Sequence, residues 1–416
     1  MLTTLIRTER HQIKKSSPYY KIFDDLLFKA KNLYNSALYI QRNLYLGTLA
    51  GEETKNQYFP YLELYRYIKD SEPYKALPSC ISQQILRKVC TNFSSFVRAN
   101  KEYYKNPSKF LGRPKLPKYK DKKKGRATLY LISRGLHARG NHTLEFHRIL
   151  QGFTLKTNID LSTVKLLEAR IVPKQGSIIF EVVYEKEVDI ILPEGHKYIA
   201  GIDLGLNNFA TISVLAPNVR PLIINGKGLK SYNQYFNKRY SELQSHAKSF
   251  YKVSMTNQMR NLLRKRDNYF STFMHKASRK IVDYLYQNKV EYIIIGRNKN
   301  WKQSSKLSRK INQDFVQFPY DKFIHMLTYK AQELGITVYT VEESYTSGTS
   351  YLDNEQPTPA FYNKSRRIHR GLFRTNEGKL INADVNSAFQ ITKKAFKTDY
   401  KTEYRLNLNP IKINVA

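Results

Sequence analysis

Apolar positions recur at three- and four-residue steps from Tyr19 to about Leu46, where Phe23, Leu26, Leu27, Ala30, Tyr34, Ala37 and Leu38 share one face. That period predicts an amphipathic helix. A second stripe, Ile81, Ile85, Val89, Phe93 and Val97, predicts another helix from about Ser79 to Arg98, with Ser79 after Pro78 as its N-cap. Residues 1–10 alternate weakly, as one strand would. Ala127–Ser133, His142–His147, Lys165–Val172 and Ser177–Glu185 are β-rich and divided by Gly, Asn and Pro, which predicts a small barrel or sandwich.

The pattern changes in the second half. YIAGIDLGLNNFATISVL (198–215) reads as a buried strand, a tight glycine turn and a second strand. Lys230 to about Asn288 is mostly helical, with Phe270, Phe273, Met274, Ala277, Ile281 and Leu285 on one face. EYIIIG (291–296) is a short, fully apolar strand. Pro319 opens another helix, with Phe323, Ile324, Leu327 and Ala331 inward and Gly335 as its stop, and ITVYTVEE (336–343) is the next strand. Strands alternating with helices predict a sheet with covering helices.

Composition narrows the partner. The chain has 416 residues with 70 Lys+Arg against 34 Asp+Glu, a net charge of +36. So large an excess calls for a polyanion, nucleic acid first and an anionic membrane surface second. The 32 Tyr and 21 Phe add flat faces that suit stacked bases, although most such rings are expected in cores. Cys80 and Cys90 are the only cysteines and form no Cys-x-x-Cys pair, which excludes zinc fingers, zinc ribbons and disulfide scaffolds. No apolar run reaches the ~20 residues of a membrane span, and the first residues lack the pattern of a signal peptide. An intracellular soluble protein is expected.

Two groups of residues carry candidate chemistry. RPKLPKYKDKKKGR (Arg113–Arg126) holds eight basic residues and one acid. Its prolines favour an extended path that would track a phosphate backbone through Arg113, Lys115, Lys118 and Lys120; a solvated linker is the alternative. The second group is acidic. Asp203 lies inside an apolar strand, where a charge is costly unless paired or bound to metal, and Gly205 follows it. Glu342 and Glu343 end the strand ITVYTVEE, and Asp384 lies at an apparent helix start in INADVNSAFQI. Converged, these acids make an all-oxygen site for Mg²⁺, and two such ions about 4 Å apart suit phosphodiester hydrolysis. A helix cap at Asp384 and a solvated strand end at Glu342–Glu343 are the competing readings. His137, His142 and His147 have no supporting ligands and are not read as a metal site.

GIDLGLNNFATIS, EYIIIGRNKNWKQ, EESYTS and HRGLFRTNEGKLINADVNSAFQI resemble the RuvC-like nuclease domain of the TnpB family, the transposon-encoded proteins akin to type V CRISPR nucleases. LPSCISQQILRKV and FLGRPKLPKYK in the first half are similar to family patterns as well. The resemblance implies an α+β multidomain chain. Residues 1–18 and 109–195 would form a wedge-type β-barrel domain, 19–108 a helical recognition domain, and 196–416 an RNase H-like (RuvC) α/β nuclease domain with an insert at about 345–380. It implies an RNA-guided DNA endonuclease that uses two Mg²⁺ ions, with a guide RNA from the transposon end, double-stranded target DNA read beside a short adjacent motif, no membrane, and the prokaryotic cytoplasm as its place. The alternative is a nuclease-inactive RNA-guided DNA-binding repressor of the same ancestry.

Carried over residue by residue, Asp203 matches the first catalytic aspartate and Asp384 the last. The family's middle glutamate stands around IIIG, where this chain has Gly296 followed by Arg297. Adjacent strands lie about 4.8 Å apart, so a glutamate at the neighbouring strand end can stand in. Glu343 is the expected replacement, two residues before Tyr-Thr-Ser, with Glu342 as the fallback because successive strand residues face opposite ways. Relatives carry a zinc ribbon in the insert. Here its first cysteine pair is replaced by Ser350 and Asp353, so no zinc is expected, and Arg366, Arg367, Arg370 and Arg374 are the insert's expected DNA contacts.

Overall fold

The computed structural model describes residues 2–49, 53, 55–146, 148–174, 176–190, 194–297, 318–369, 371–396 and 406–415. It divides into two compact units, Thr3–Val188 and, with Met1–Leu2, Asp189–Ala416.

In the first unit, β1 (Leu2–Ile13) leads into α1 (Tyr20–Leu46), then α2 (Tyr61–Ile68), α3 (Glu72–Lys75) and α4 (Ser79–Lys105). The predicted stripe of α1 is buried at every position named, and α1 stops at Gly47, whose φ of 74° is left-handed and whose N–H bonds back to Asn43 and Leu44. In α4, Ile81, Ile85, Val89 and Phe93 are buried, while Val97 is only partly covered. Pro78 is the N-cap of α4; Ser79 is its first helical residue and caps nothing.

The strands of this unit form two open sheets, and no closed barrel occurs among the described residues. One has the order β1-β7-β6-β2, with β2 (Leu129–Ile132), β6 (Val164–Lys174) and β7 (Ser177–Asp189); the other is β3-β4-β5, of Leu136–Ala138, Thr143–Phe146 and Thr154–Lys156. Four strands in one sheet and three in the other are too few to wrap a sheet onto itself. Phe146, Phe153 and Phe180 join Phe23 of α1 in one knot of rings, with centroids 4.8–6.0 Å apart.

The proline-rich basic segment runs along α1 without regular structure. Arg42 donates to the Pro117 carbonyl at 2.7 Å, Asn35 exchanges two bonds with the Lys120 backbone at 2.9 Å each, and Lys31 donates to the Lys122 carbonyl at 2.7 Å. The main chain is pinned rather than loose. Arg113, Lys115 and Lys118 are left exposed, while Lys120 lies over the Tyr34 ring.

The second unit holds a six-stranded sheet of order β12-β11-β8-β9-β10-β16. Its strands are β8 (Tyr198–Leu204), β9 (Asn208–Val214), β10 (Leu222–Asn225), β11 (Val290–Gly296), β12 (Thr337–Val341) and β16 (Ile411–Ile413). β8, β11 and β12 run parallel, and β9 turns back against β8. The helices are α5 (Lys227–Ser249), α6 (Asn257–Gln287), α7 (Tyr320–Gln332) and α8 (Ala383–Ala395). Alternation along β8 divides the core. Ala200 and Ile202 pack with α6 and α7, whereas Ile199 packs on the other face with Val385, Phe389 and Ile391 of α8. Between β12 and α8 the insert makes a small sheet, β13 (Arg367–His369), β14 (Leu372–Arg374) and β15 (Leu380–Asn382). No described helix is long and apolar enough to cross a membrane.

One buried cation joins α7 to α6. Lys330 Nζ donates to the His275 carbonyl and to Ser278 Oγ, each at 2.7 Å, and burial, aided by nearby Arg279, lowers its pKa from 10.5 to about 8. The folded chain therefore releases this proton near pH 8 and the unfolded chain only near 10.5, so stability from this group rises with pH across that window. Wild type is expected to gain on the order of 1–3 kcal/mol over Lys330→Met between pH 7.5 and 10. Denaturant titrations of both proteins at each pH check it; parallel pH curves would refute it.

Candidate active site

The site begins with a glycine. At Gly201, in the middle of β8, the Ala388 carbonyl oxygen lies 1.9 Å from where a Cβ would be, so α8 lies directly on the strand's backbone. Asp203, two residues on, faces the same side. Asp384 is one helical turn before Ala388, which brings it to the same end of the sheet. The helix start there is locally encoded: Asn382 Oδ1 accepts from the N–H groups of Asp384 and Val385 at 3.0 and 3.2 Å, and an acid in the first turn suits the helix dipole. Asp384 is thus not the cap. Its own carboxylate is held at both oxygens, by Asn208 Nδ2 at 2.8 Å and by the Arg367 guanidinium at 3.3 Å. Lys412 donates in turn to Asn208 Oδ1 at 3.0 Å.

The third carboxylate arrives from β12. Gly296, the last residue of β11, is in register with Val341, and Arg297 N–H donates to the Val341 carbonyl at 2.8 Å. A Cβ on Gly296 would lie 3.1 Å from Glu343 Oε2. Glu343 therefore brings its carboxylate to the tip of β11, while Glu342 beside it is exposed. Burial pushes Glu343 up to about 7, against the pull of Lys394. Lys394 is itself lowered by burial, and its ammonium donates to the Ser344 carbonyl and hydroxyl at 2.6 and 3.0 Å.

The three acids share one field. Burial raises Asp203 well above the usual carboxylate range; the charges of Asp384 and Glu343 add to this, and Arg367 opposes it. Tyr320, at the start of α7, donates to the Gly205 carbonyl at 2.7 Å, and its hydroxyl is raised by burial and then by Asp203 and Glu343. Thr211 is paired with Asp203 across β9, and its hydroxyl is buried without a hydrogen-bond partner among the described residues. The carboxylates interact without closing on one point: no described group of three or more His, Cys, Asp or Glu is drawn together tightly enough to hold a metal ion. Like charges repel, and Asp384 is turned to partners of its own.

In the insert the Arg366 side chain is turned inward. It pairs with Asp353 and, at 2.6 Å, with Glu355, the side chains being only 11% and 10% exposed. Asn376 closes the cluster, its N–H on Asp353 at 2.9 Å and its amide on Glu355 at 3.2 Å, and Ser350 N–H donates to Glu355 at 2.7 Å. The two positions that stand in for the first cysteine pair thus belong to an ion-pair cluster. Arg374 is exposed, with its carbonyl taken by Arg366 at 3.1 Å, and Arg370 lies outside the described residues.

Asn208, Tyr320 and Lys394 escaped sequence reasoning, as did the pairing of Arg367 with Asp384. Asn208 sat in plain view in GIDLGLNN, but its partner is 176 residues away. No periodicity reports such a pair.

Comparisons with known proteins agree with this architecture. A family model described as probable transposase, OrfB_IS605, matches residues 181–302, and one described as Cas12f1-like, TNB domain, matches 320–391. TnpB-like protein ORF457 of Acidianus two-tailed virus is 31% identical over 219 residues, which span 50% of this chain and 44% of that relative's length. Cas12f1, solved in a complex with sgRNA and target DNA, has a similar fold, with a TM-score of 0.53 and 15% identity over 90% of this chain and 82% of that one. Both family models lie in chain order, and a TnpB-like protein matches half of the sequence, so the chain is similar to proteins of the TnpB family.

Proposed function

We propose that the chain is an RNA-guided DNA endonuclease that hydrolyses target DNA with Mg²⁺ at Asp203, Glu343 and Asp384. The observation that carries this reading is the position of Glu343 Oε2, 3.1 Å from the place of a Gly296 Cβ. The family's middle carboxylate is lost from β11, and a carboxylate reaches the same strand tip from β12. A chain that had simply lost the activity would have no reason to supply one.

The donor set suits a hard divalent cation. All three side chains are carboxylates, and Asp203 is raised partly by the other two, an excess of negative charge that such a cation relieves. Bound there, two Mg²⁺ ions would activate a water and stabilise the leaving oxygen of a phosphodiester. Asp203, Glu343 and Asp384 would hold them. The residues around them do the positioning. Asn382 fixes the turn that carries Asp384, Asn208 orients its carboxylate, and Tyr320 anchors the β8–β9 turn at Gly205. Arg367 holds the other oxygen of Asp384 and offsets part of the charge of the three acids.

The partners follow the same reading: a guide RNA from the transposon end and double-stranded target DNA beside a short motif. The positive charge holds the RNA and its heteroduplex through shape and backbone. One observation favours the alternative, a nuclease-inactive RNA-guided DNA-binding repressor: both oxygens of Asp384 are already engaged.

Purification from cells that carry the native element, followed by sequencing of bound RNA, tests guidance. One discrete RNA ending at the element boundary is expected, and the complex is expected to cut matching DNA in Mg²⁺ but not in EDTA. Random RNA would sink guidance. Matching RNA without cleavage would leave the repressor.

A further inference from the structure

A groove in the first unit has no part in the carboxylate chemistry. It is a cavity of about 630 Å³ between the C-terminal end of α1, the last turns of α4 and the start of the basic segment. That volume is in the range of small-molecule sites. Its apolar side is aromatic: Tyr45 and Phe96 meet edge to face with centroids 5.7 Å apart, and Tyr104 stands at the rim, 63% exposed. An aromatic ring so exposed at a cavity mouth offers a stacking surface.

Among the described residues the charge that lines the groove is of one sign: Lys55, Lys101, Arg113 and Lys115 line it, and no described Asp or Glu does. The Arg113 guanidinium lies 5.3 Å from the Tyr104 ring centroid, so cation and ring already form one face. The nearest carboxylate along α4, Glu102, is taken by Lys109 at 2.7 Å. Asn100 is one of the residues that line the groove, and its side-chain Oδ1 is buried without a hydrogen-bond partner among the described residues. A buried acceptor without a donor is costly, and the edge of a nucleobase supplies N–H donors.

We propose that this groove takes an unpaired nucleotide of a nucleic-acid strand. Its base lies against Tyr104 and Phe96 with an N–H on Asn100, and its phosphates lie against Lys101, Arg113 and Lys115. Charge complementarity selects the occupant. A peptide or a lipid tail would fill the aromatic side and leave four cations without an anion, whereas a nucleotide answers rings, amide and cations together. A base inside a duplex presents no free face, so the strand is single or locally opened. The proposal concerns a surface remote in sequence from Asp203 and does not depend on cleavage.

The test uses the full purified chain stripped of nucleic acid, with 12-nucleotide single-stranded RNA, single-stranded DNA and an intact duplex as probes, read by fluorescence anisotropy over a salt series. Tyr104→Ala removes an exposed ring and leaves the fold intact. It is expected to weaken both single strands by roughly 5- to 100-fold, the 1–3 kcal/mol of one stacked base, with the salt slope unchanged and the duplex unaffected. Lys115→Gln is expected to lower the salt slope by about one. Strands carrying 4-thiouridine or 4-thiothymidine should crosslink to peptides containing Phe96 or Tyr104. Single-strand affinity within twofold of wild type for Tyr104→Ala would overturn the proposal, as would an equal loss on duplex or crosslinks confined to other regions. A loss on RNA alone or DNA alone identifies which strand occupies the groove.

Discussion

Glu343→Gln is expected to lower target cleavage by roughly a thousandfold or more, and Glu342→Gln to leave it within about threefold of wild type. The two substitutions are chemically identical and one residue apart, so composition and net charge cancel between them. Only the direction of the side chain differs. Glu343 points to the tip of β11, where its carboxylate raises Asp203; Glu342 points to solvent. Asp203→Ala should match Glu343→Gln, with RNA-guided binding retained in both. Stability separates a ligand from a structural residue. Three carboxylates in one partly buried field repel, so Glu343→Gln in EDTA should unfold no earlier than wild type. Cleavage at wild-type rates by Glu343→Gln would end the assignment, and a deep loss in Glu342→Gln alone would move it by one residue.

The second large effect falls on a residue without a side chain. Gly201→Ala places a methyl 1.9 Å from the Ala388 carbonyl oxygen and within 2.8 Å of Thr392. Neither neighbour is the free end of a flexible side chain, so α8 must lift from β8. The cost is expected at about 3 kcal/mol or more, a fall of roughly 6–12 °C in the transition of this unit, and Asp384 should move away from Asp203 with the helix. Gly371→Ala is the control, since nothing lies within 4 Å of its added Cβ, and it should stay within about 0.5 kcal/mol of wild type. Calorimetry of the three proteins decides. A Gly201→Ala transition within 2 °C of the control would mean that the helix seats less tightly than its contact implies.

The sequence was most legible where a repeat along one element sufficed. The buried stripe of α1 and the strand pair around Asp203 follow from spacings of two or of three and four, whereas the strand expected over 336–343 stops at Val341 and leaves Glu342 and Glu343 beyond its end. The strands of the first unit were legible singly but not in their pairing, because which strands pair and how far they are sheared is not written along one strand. At the candidate site, Asp203 stood out as an acid in an apolar run. Gly201 did not: alternation tells which face a residue takes but not how closely the next layer approaches. Arg366 and Arg367 are adjacent and chemically identical, yet one is consumed by Asp353 and Glu355 and the other meets Asp384. Only three-dimensional partners separate them.

Glu343 belongs to a turn. Its carbonyl accepts from the Thr346 N–H at 3.3 Å and the Thr346 hydroxyl at 2.8 Å, and the insert starts there. A carboxylate rooted at position 296 would ride on the sheet, the stiffest part of this unit. One rooted at 343 rides on the hinge of a loop. The insert is in that sense a handle on two carboxylates: its first turn carries Glu343, and its last strand ends at Asn382, which caps the helix start that carries Asp384. Moving the acid by one strand changes what the site is mechanically attached to.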